Sequence, residues 1–119
     1  MPVSERYSRQ VLFAGIGAQG QERLGRSTAL LVGCGALGTH VADLLVRAGI
    51  GRLRIVDRDV VETSNLHRQS LFDADDVAEG LPKAVAAARR LRAVNPDVTV
   101  EPVASHLDAG NVARHAQGA

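Results

Sequence analysis

A single cysteine, three aromatic side chains and no tryptophan are what this 119-residue sequence has least of. One cysteine, Cys34, excludes an intramolecular disulfide and a cysteine-rich zinc site. The four histidines, His40, His67, His106 and His115, are too scattered for a metal cluster and read as surface or capping residues, so no metal ligand is assigned. Tyr7, Phe13 and Phe72 are the only rings, and the formal charge is +1, which leaves neither the stacking platform nor the basic stripe of a nucleic-acid surface. No apolar run approaches the ~20 residues of a membrane span. The opening "MPVSERYSRQ" is polar and lacks the apolar core of a signal peptide, so a cytoplasmic location is expected. The length suits one domain that buries roughly two-thirds of its unfolded surface.

Glycine is what the chain has in quantity, and it spells Gly-x-Gly-x-x-Gly twice, as "GIGAQG" at 15–20 and "GCGALG" at 33–38. Such a spelling indicates a phosphate turn only between a strand and a helix. "TALLVG" (28–33) is a short apolar run ending in glycine, as in a strand buried on both faces of a parallel sheet. Leu37, Val41, Leu44, Leu45 and Ala48 then fall at helical spacing, with Gly49 where a left-handed cap belongs. "LRIVD" (53–57) is a second strand, which closes a right-handed βαβ unit of about thirty residues. The first motif fails this test: "QVLFA" before it could be a strand, but "QERLGR" after it is short, polar and broken by Gly25, so "GIGAQG" is expected to be a loop. Gly33, Gly35 and Gly38 are therefore the candidate phosphate turn, with the following helix N-terminus supplying N–H groups and partial positive charge. Cys34 sits inside this turn, where a small side chain packs closely, and reads as structural.

Downstream, "DADDVAEG" reads as a polar link and "LPKAVAAARRLRAV" as a helix with Pro82 in its first turn and an apolar stripe of Ala84, Ala87, Ala88 and Leu91. "NPD" ends it. "VTVEPV" (98–103) is a third strand, placed near an edge by Pro102, and Asp108 or Asn111 could cap a last helix. The expected fold class is α/β: a Rossmann-like parallel sheet with flanking helices, over residues 28–119, preceded by an N-terminal helical arm over 1–27.

Asp57, nineteen residues after Gly38, completes a nucleotide site in outline, because a carboxylate at that strand end accepts from ribose hydroxyls while the turn holds phosphate. NAD and ATP both fit this much. The segment "DRDVVETSNLHRQ" brings Asn65 and Arg68 to the carboxyl end of the sheet, and a triphosphate under attack needs such cations and donors. Read alone, the same segment is equally a solvated turn with local side-chain bonds. Lys83 and Arg9, likewise, read alone as solvent-exposed cations.

Four stretches in this order, "RYSRQ", "GCGALG", "DRDVVETSNLHRQ" and "GLPKA", resemble the ThiF/MoeB/HesA family, the adenylyltransferases that activate ubiquitin-like sulfur-carrier proteins and are similar to the ubiquitin-activating enzymes. The resemblance runs from about Arg6 to the end of the chain. It implies that Gly33, Gly35, Ala36 and Gly38 hold ATP through backbone, that Asp57 holds its ribose, and that Ser64, Asn65, Arg68 and Lys83 lie along its phosphates. It also implies that Arg9 is an arginine finger supplied across a homodimer interface. The family commonly has glycine where this chain has Ala36, which is tolerable unless the position needs a positive φ. The implied reaction is attack by the carrier's C-terminal glycine carboxylate, at the end of a Gly-Gly tail, on the α-phosphorus of ATP.

The family's domain is longer than this sequence. Its fourth strand with the aspartate that binds Mg²⁺, its carrier-receiving segments and its downstream sulfur-handling cysteine have no counterpart here. The chain is thus expected to be the N-terminal part of a doubly wound domain, with "TALLVG" open along one edge and no complete adenylation by itself. The other readings are an NAD-binding half of an oxidoreductase and a non-catalytic nucleotide-binding or dimerising module.

Overall fold

A computed structural model of the chain describes residues 4–119; residues 1–3 of the expected arm lie outside the described residues. Three strands, β1 (Thr28–Val32), β2 (Arg52–Val56) and β3 (Thr99–Val103), form one parallel sheet in the order β1-β2-β3. Registers run from Thr28 opposite Arg52 to Val32 opposite Val56, and from Arg52 opposite Thr99 to Val56 opposite Val103. Parallel neighbours require crossovers, and helices α3 (Ala36–Ala48) and α5 (Lys83–Val94) supply them. The fold is a three-stranded Rossmann-like α/β layer.

Leu53, Ile55 and Val100 point from one sheet face into a core with Cys34, Ala42, Val46, Ala87 and Leu91. Ala29 and Leu31 of β1 pack against this core, but β1 has no second neighbour and Val32 is 56% exposed. The expectation of a strand buried on both faces is corrected here, while its open edge is as expected. β3 is the other edge, and Pro102, which has no N–H to give a ladder, sits there without loss.

Helix α3 begins just after Gly35 and ends at Gly49, whose φ of 90° and ψ of 33° are the left-handed cap read from the sequence. Its buried face is Thr39, Ala42 and Val46, whereas Leu37 and Leu44 are exposed at 79% and 67%. Both leucines share the helical spacing of the buried residues. They turn outward because the sheet beneath α3 stops at β1.

The residues before β1 are helical: a 3₁₀ turn (Glu5–Tyr7), α1 (Ser8–Val11) and α2 (Gly17–Gly25). "GIGAQG" is therefore no free loop, since α2 starts at its second glycine, and "QVLFA" is no strand. This part docks on the C-terminal ends of α3 and α5. Gln10 and Gln21 both donate to the Ala48 carbonyl, at 2.8 and 2.9 Å, and Arg6 donates to the Val94 carbonyl at 3.1 Å. Asn95, fully buried, donates to the Val46 carbonyl and to the Tyr7 hydroxyl. The Ala48 and Val94 carbonyls at two helix ends are thus satisfied by side chains far away in sequence, and Val46 gains a second donor besides the Gly49 N–H. Gly49 also admits the tyrosine, because a Cβ there would strike the Tyr7 ring.

"DADDVAEG" contains a short helix, α4 (Ala74–Ala78), in place of the expected link; Asp73 and Asp76 cap each other's backbone N–H and so hold a turn that apolar periodicity did not announce. After β3, Asp108 accepts from the Gly110 and Asn111 backbone ahead of a four-residue helix, α6 (Val112–His115). Arg54 of β2 donates to the His115 and Gln117 carbonyls and so holds this last helix to the second sheet face.

Candidate nucleotide site

β1 ends at Val32, and its ladder continues one step as Gly33 donates to the Val56 carbonyl at 2.8 Å. Gly33 has a φ of 90°, which turns the chain out of the sheet toward α3. Gly38, one turn into the helix, lies so near that a Cβ would collide with the Gly33 carbonyl oxygen. The third glycine therefore sets how closely the helix packs on the strand, as the motif requires. The first intrahelical bond is Thr39 N–H to the Gly35 carbonyl at 3.0 Å, so the amides of the preceding turn are left for a ligand. Ala36 opens the helix, and no described residue other than glycine has a positive φ; alanine is accommodated there.

Asp57 follows β2 directly. One carboxylate oxygen accepts from the Cys34 backbone N–H and the other from the Asp59 N–H, both at 2.7 Å. The carboxylate is thereby fixed against the glycine turn, and each oxygen keeps a lone pair for a further donor. Asp57 and Gly33 share a cleft of about 270 Å³ with Ser105, His106 and Leu107 from the loop after β3.

Lys83 is the first residue of α5 and only 7% exposed. Its backbone N–H donates to the Asp59 carbonyl at 2.8 Å, which ties the start of α5 to the loop after β2. Its positive charge acts on the Cys34 thiol. That thiol is pushed up to about 12, first by burial, then by the Asp57 charge, with Lys83 offsetting part of the rise. Cys34 is fully buried and holds its proton at neutral pH, as a packing residue does.

Ser64 and Asn65 lie in a 3₁₀ turn (Thr63–Asn65). Asn65 is 7% exposed, and its side-chain oxygen accepts from the Glu62 N–H at 2.8 Å, so part of its polarity is spent on shaping the loop. Ser64 is exposed and its carbonyl accepts from Arg68 at 2.8 Å. Arg68 is exposed and makes no carboxylate pair among the described residues. Gln69 of this loop, 3% exposed, lies beside the glycine turn, its Nε2 3.9 Å from where a Gly35 Cβ would be. The only signal of Gln69 in the sequence is its place after Arg68.

Gly33, Gly35, Ala36, Gly38, Asp57, Asn65 and Lys83 thus gather at one end of the sheet, with Ser64 and Arg68 on the adjoining loop. Arg9 does not join them. It sits exposed on α1, whose neighbouring Gln10 is bonded to the last residue of α3, while the glycine turn is at the first. Thirteen helical residues rising 1.5 Å each separate the two by about 20 Å.

Comparison with known proteins agrees with this geometry. The model of the ThiF family matches residues 7–118. The chain is 53% identical over 107 residues to the sulfur carrier protein ThiS adenylyltransferase of Bacillus subtilis, covering 90% of this chain and 32% of that protein. It is 48% identical over 107 residues to the sulfur carrier protein adenylyltransferase of Thermus thermophilus, covering 90% and 39%. Among solved structures, E. coli MccB with ATP superposes with a TM-score of 0.83 at 32% identity, over 94% of this chain and 35% of that one. The chain spans about a third of the length of the curated relatives it matches. With a glycine turn, an acid-tipped second strand and a family match over almost all of its residues, the chain belongs to the ThiF family.

Proposed function

We propose that this chain is the nucleotide-binding part of an ATP-dependent adenylyltransferase that activates the C-terminal glycine carboxylate of a ubiquitin-like sulfur-carrier protein. The observation that carries the reading is the Asp57 carboxylate fixed on the Cys34 N–H, with the Lys83 backbone tied to the Asp59 carbonyl two residues on. Ribose at Asp57 and phosphate at the glycine turn are compatible with any nucleotide; Lys83 and Arg68 at the same end favour a polyphosphate tail. The names of the relatives, adenylyltransferases of sulfur carriers, point the same way.

In this reading the carrier's carboxylate oxygen attacks the α-phosphorus. A new O–P bond forms, the bond from the α-phosphorus to the bridging oxygen breaks, and pyrophosphate leaves with the electron pair. A terminal carboxyl with a pKa near ~3.5 is already ionised at neutral pH, so no proton moves and no general base is needed. The barrier is the approach of one anion to another. Lys83 and Arg68 lower it by pairing with phosphate oxygens, Asp57 holds the ribose, and Ser64 and Asn65 line the phosphate path.

Arg9 joins the site from a second copy. The roughly 20 Å along α3 keeps it from its own glycine turn, which supports a homodimer with composite sites. Mg²⁺ bound to ATP would neutralise phosphate charge. Among the described residues no group of three His, Cys, Asp or Glu is placed to hold a metal, so these residues do not form a metal cage and no step is assigned through one. No described helix is long and apolar enough to cross a membrane, and the reading places the protein in the cytoplasm with neither membrane nor nucleic acid as partner.

The test is carrier-dependent ATP–pyrophosphate exchange by the full-length protein, with thermal-shift titrations against ATP and NADH. Exchange that requires the Gly-Gly tail, with stabilisation by ATP, is expected. Stabilisation by NADH alone would replace this reading with a dehydrogenase.

A further inference from the structure

Gln69 is a buried side chain at the candidate site whose acceptor has no partner. It is 3% exposed, and its Oε1 is sealed from solvent with no hydrogen-bond partner. Its Nε2 lies against Gly35, the residue that caps α3, and makes no hydrogen bond among the described residues. A buried amide without partners is costly, and native proteins leave few of them. The backbone holds this one firmly: the Gln69 N–H donates to the Asn65 carbonyl at 2.9 Å, and its own carbonyl accepts from Phe72 at 3.2 Å. The neighbouring acceptors are bonded, Asn65 Oδ1 to the Glu62 N–H and Asp57 to the Cys34 N–H. A structural glutamine would have done the same.

The amide faces the first turn of a thirteen-residue helix, where N–H groups are also unspent. The side-chain amide and the helix amides therefore lie together at Gly35. We propose that the Gln69 side chain is a phosphate ligand, its Nε2 donating to an oxygen of the nucleotide held at the glycine turn. Rotation about the terminal torsion exchanges the two ends of the amide at little cost, so the donor can follow the oxygen as the ligand seats. The inference rests on the reading that this turn takes a nucleotide phosphate, and adds a neutral donor to the cations already named.

The experiment compares wild type with Gln69→Met, which keeps volume and removes both polar ends, by calorimetric titration with ATP, pyrophosphate and adenosine. With the orphaned acceptor gone, the unliganded variant melts at the same temperature or higher. Its affinity for ATP and for pyrophosphate falls about tenfold, the effect of one hydrogen bond to a charged group, while adenosine is unaffected. A structural glutamine would show the reverse, with lowered melting and equal losses for all three ligands. A variant that binds ATP within about twofold of wild type overturns the inference while leaving the nucleotide reading intact. Wild type that binds none of the three overturns both. Should the variant fail to fold, the wild-type protein decides: the side-chain NH₂ resonances of Gln69 shift on adding pyrophosphate if the amide is a ligand, and staying in place would refute the assignment.

Discussion

The Asp57 carboxylate accepts from the backbone N–H of Cys34 at 2.7 Å, which joins the acid at the end of β2 to the glycine turn after β1. Asp57→Ala should therefore weaken ATP and ADP alike, since both carry the same ribose. A hydrogen bond to a charged group contributes about 1.5–3 kcal/mol, which corresponds to a loss of roughly ten- to a hundredfold in each Kd. Arg68→Ala should penalise ATP more than ADP, because the guanidinium is committed only to the Ser64 carbonyl and is free to meet the outer phosphates. Equal losses for the two nucleotides would remove Arg68 from the β/γ-phosphate path.

Cys34 should be chemically silent. With its thiol pushed up to about 12, only about one molecule in ten thousand carries thiolate at pH 8, and the residue is fully buried. Iodoacetamide should label the native protein far more slowly than the unfolded one. Rapid native labelling near neutral pH would show that the turn opens or that the thiol is activated.

Arg9 and the glycine turn belong to opposite ends of α3. If the composite-site reading holds, mixing full-length Arg9→Ala with full-length Asp57→Ala should restore part of the pyrophosphate exchange that each variant lacks, because some mixed dimers carry one intact site. No recovery after confirmed subunit exchange would place Arg9 outside the chemistry.

Glu101 gives a pH signature remote from the site. The hydrogen bond from Arg54, with Arg52 also near, holds its carboxyl below the usual carboxylate range despite partial burial. A depressed folded-state value stabilises the protein above the unfolded-state pKa and is lost as pH falls through the folded one. Thermal melts of wild type from pH 6 down to 3 should therefore steepen at the acid end, and Glu101→Gln should flatten that decline. Parallel curves for the two proteins would show that the pair adds nothing.

The 119-residue polypeptide taken alone should bind ATP weakly, self-associate and show no carrier-dependent exchange above a buffer control. β1 presents unpaired backbone groups along one edge, with Val32, Leu37 and Leu44 exposed beside it. Light scattering at rising concentration reads the association, and a monodisperse monomer with robust exchange would contradict the expectation.

Strand, turn and helix between Thr28 and Gly49 were legible in the sequence because each depends on neighbours: an apolar run, glycines at fixed spacing, a helical period and a left-handed cap. The same is true of Asp57, whose position follows from the length of a βαβ unit. Spelling did not suffice for "GIGAQG", where α2 starts inside the motif, nor for Leu37 and Leu44, which have the right spacing and face outward because the sheet ends beneath them. Short helices held by mutual caps, such as Asp73 with Asp76, carry no apolar period to read. Only the tertiary structure decided that Gln10 and Gln21 would close the end of α3 at Ala48, that this docking would put Arg9 a helix length from the turn, and that Gln69 would be buried against Gly35 with its acceptor unused. Those relations join residues far apart in the chain, and a side chain's partners across such distances depend on how whole elements pack rather than on the residues beside it.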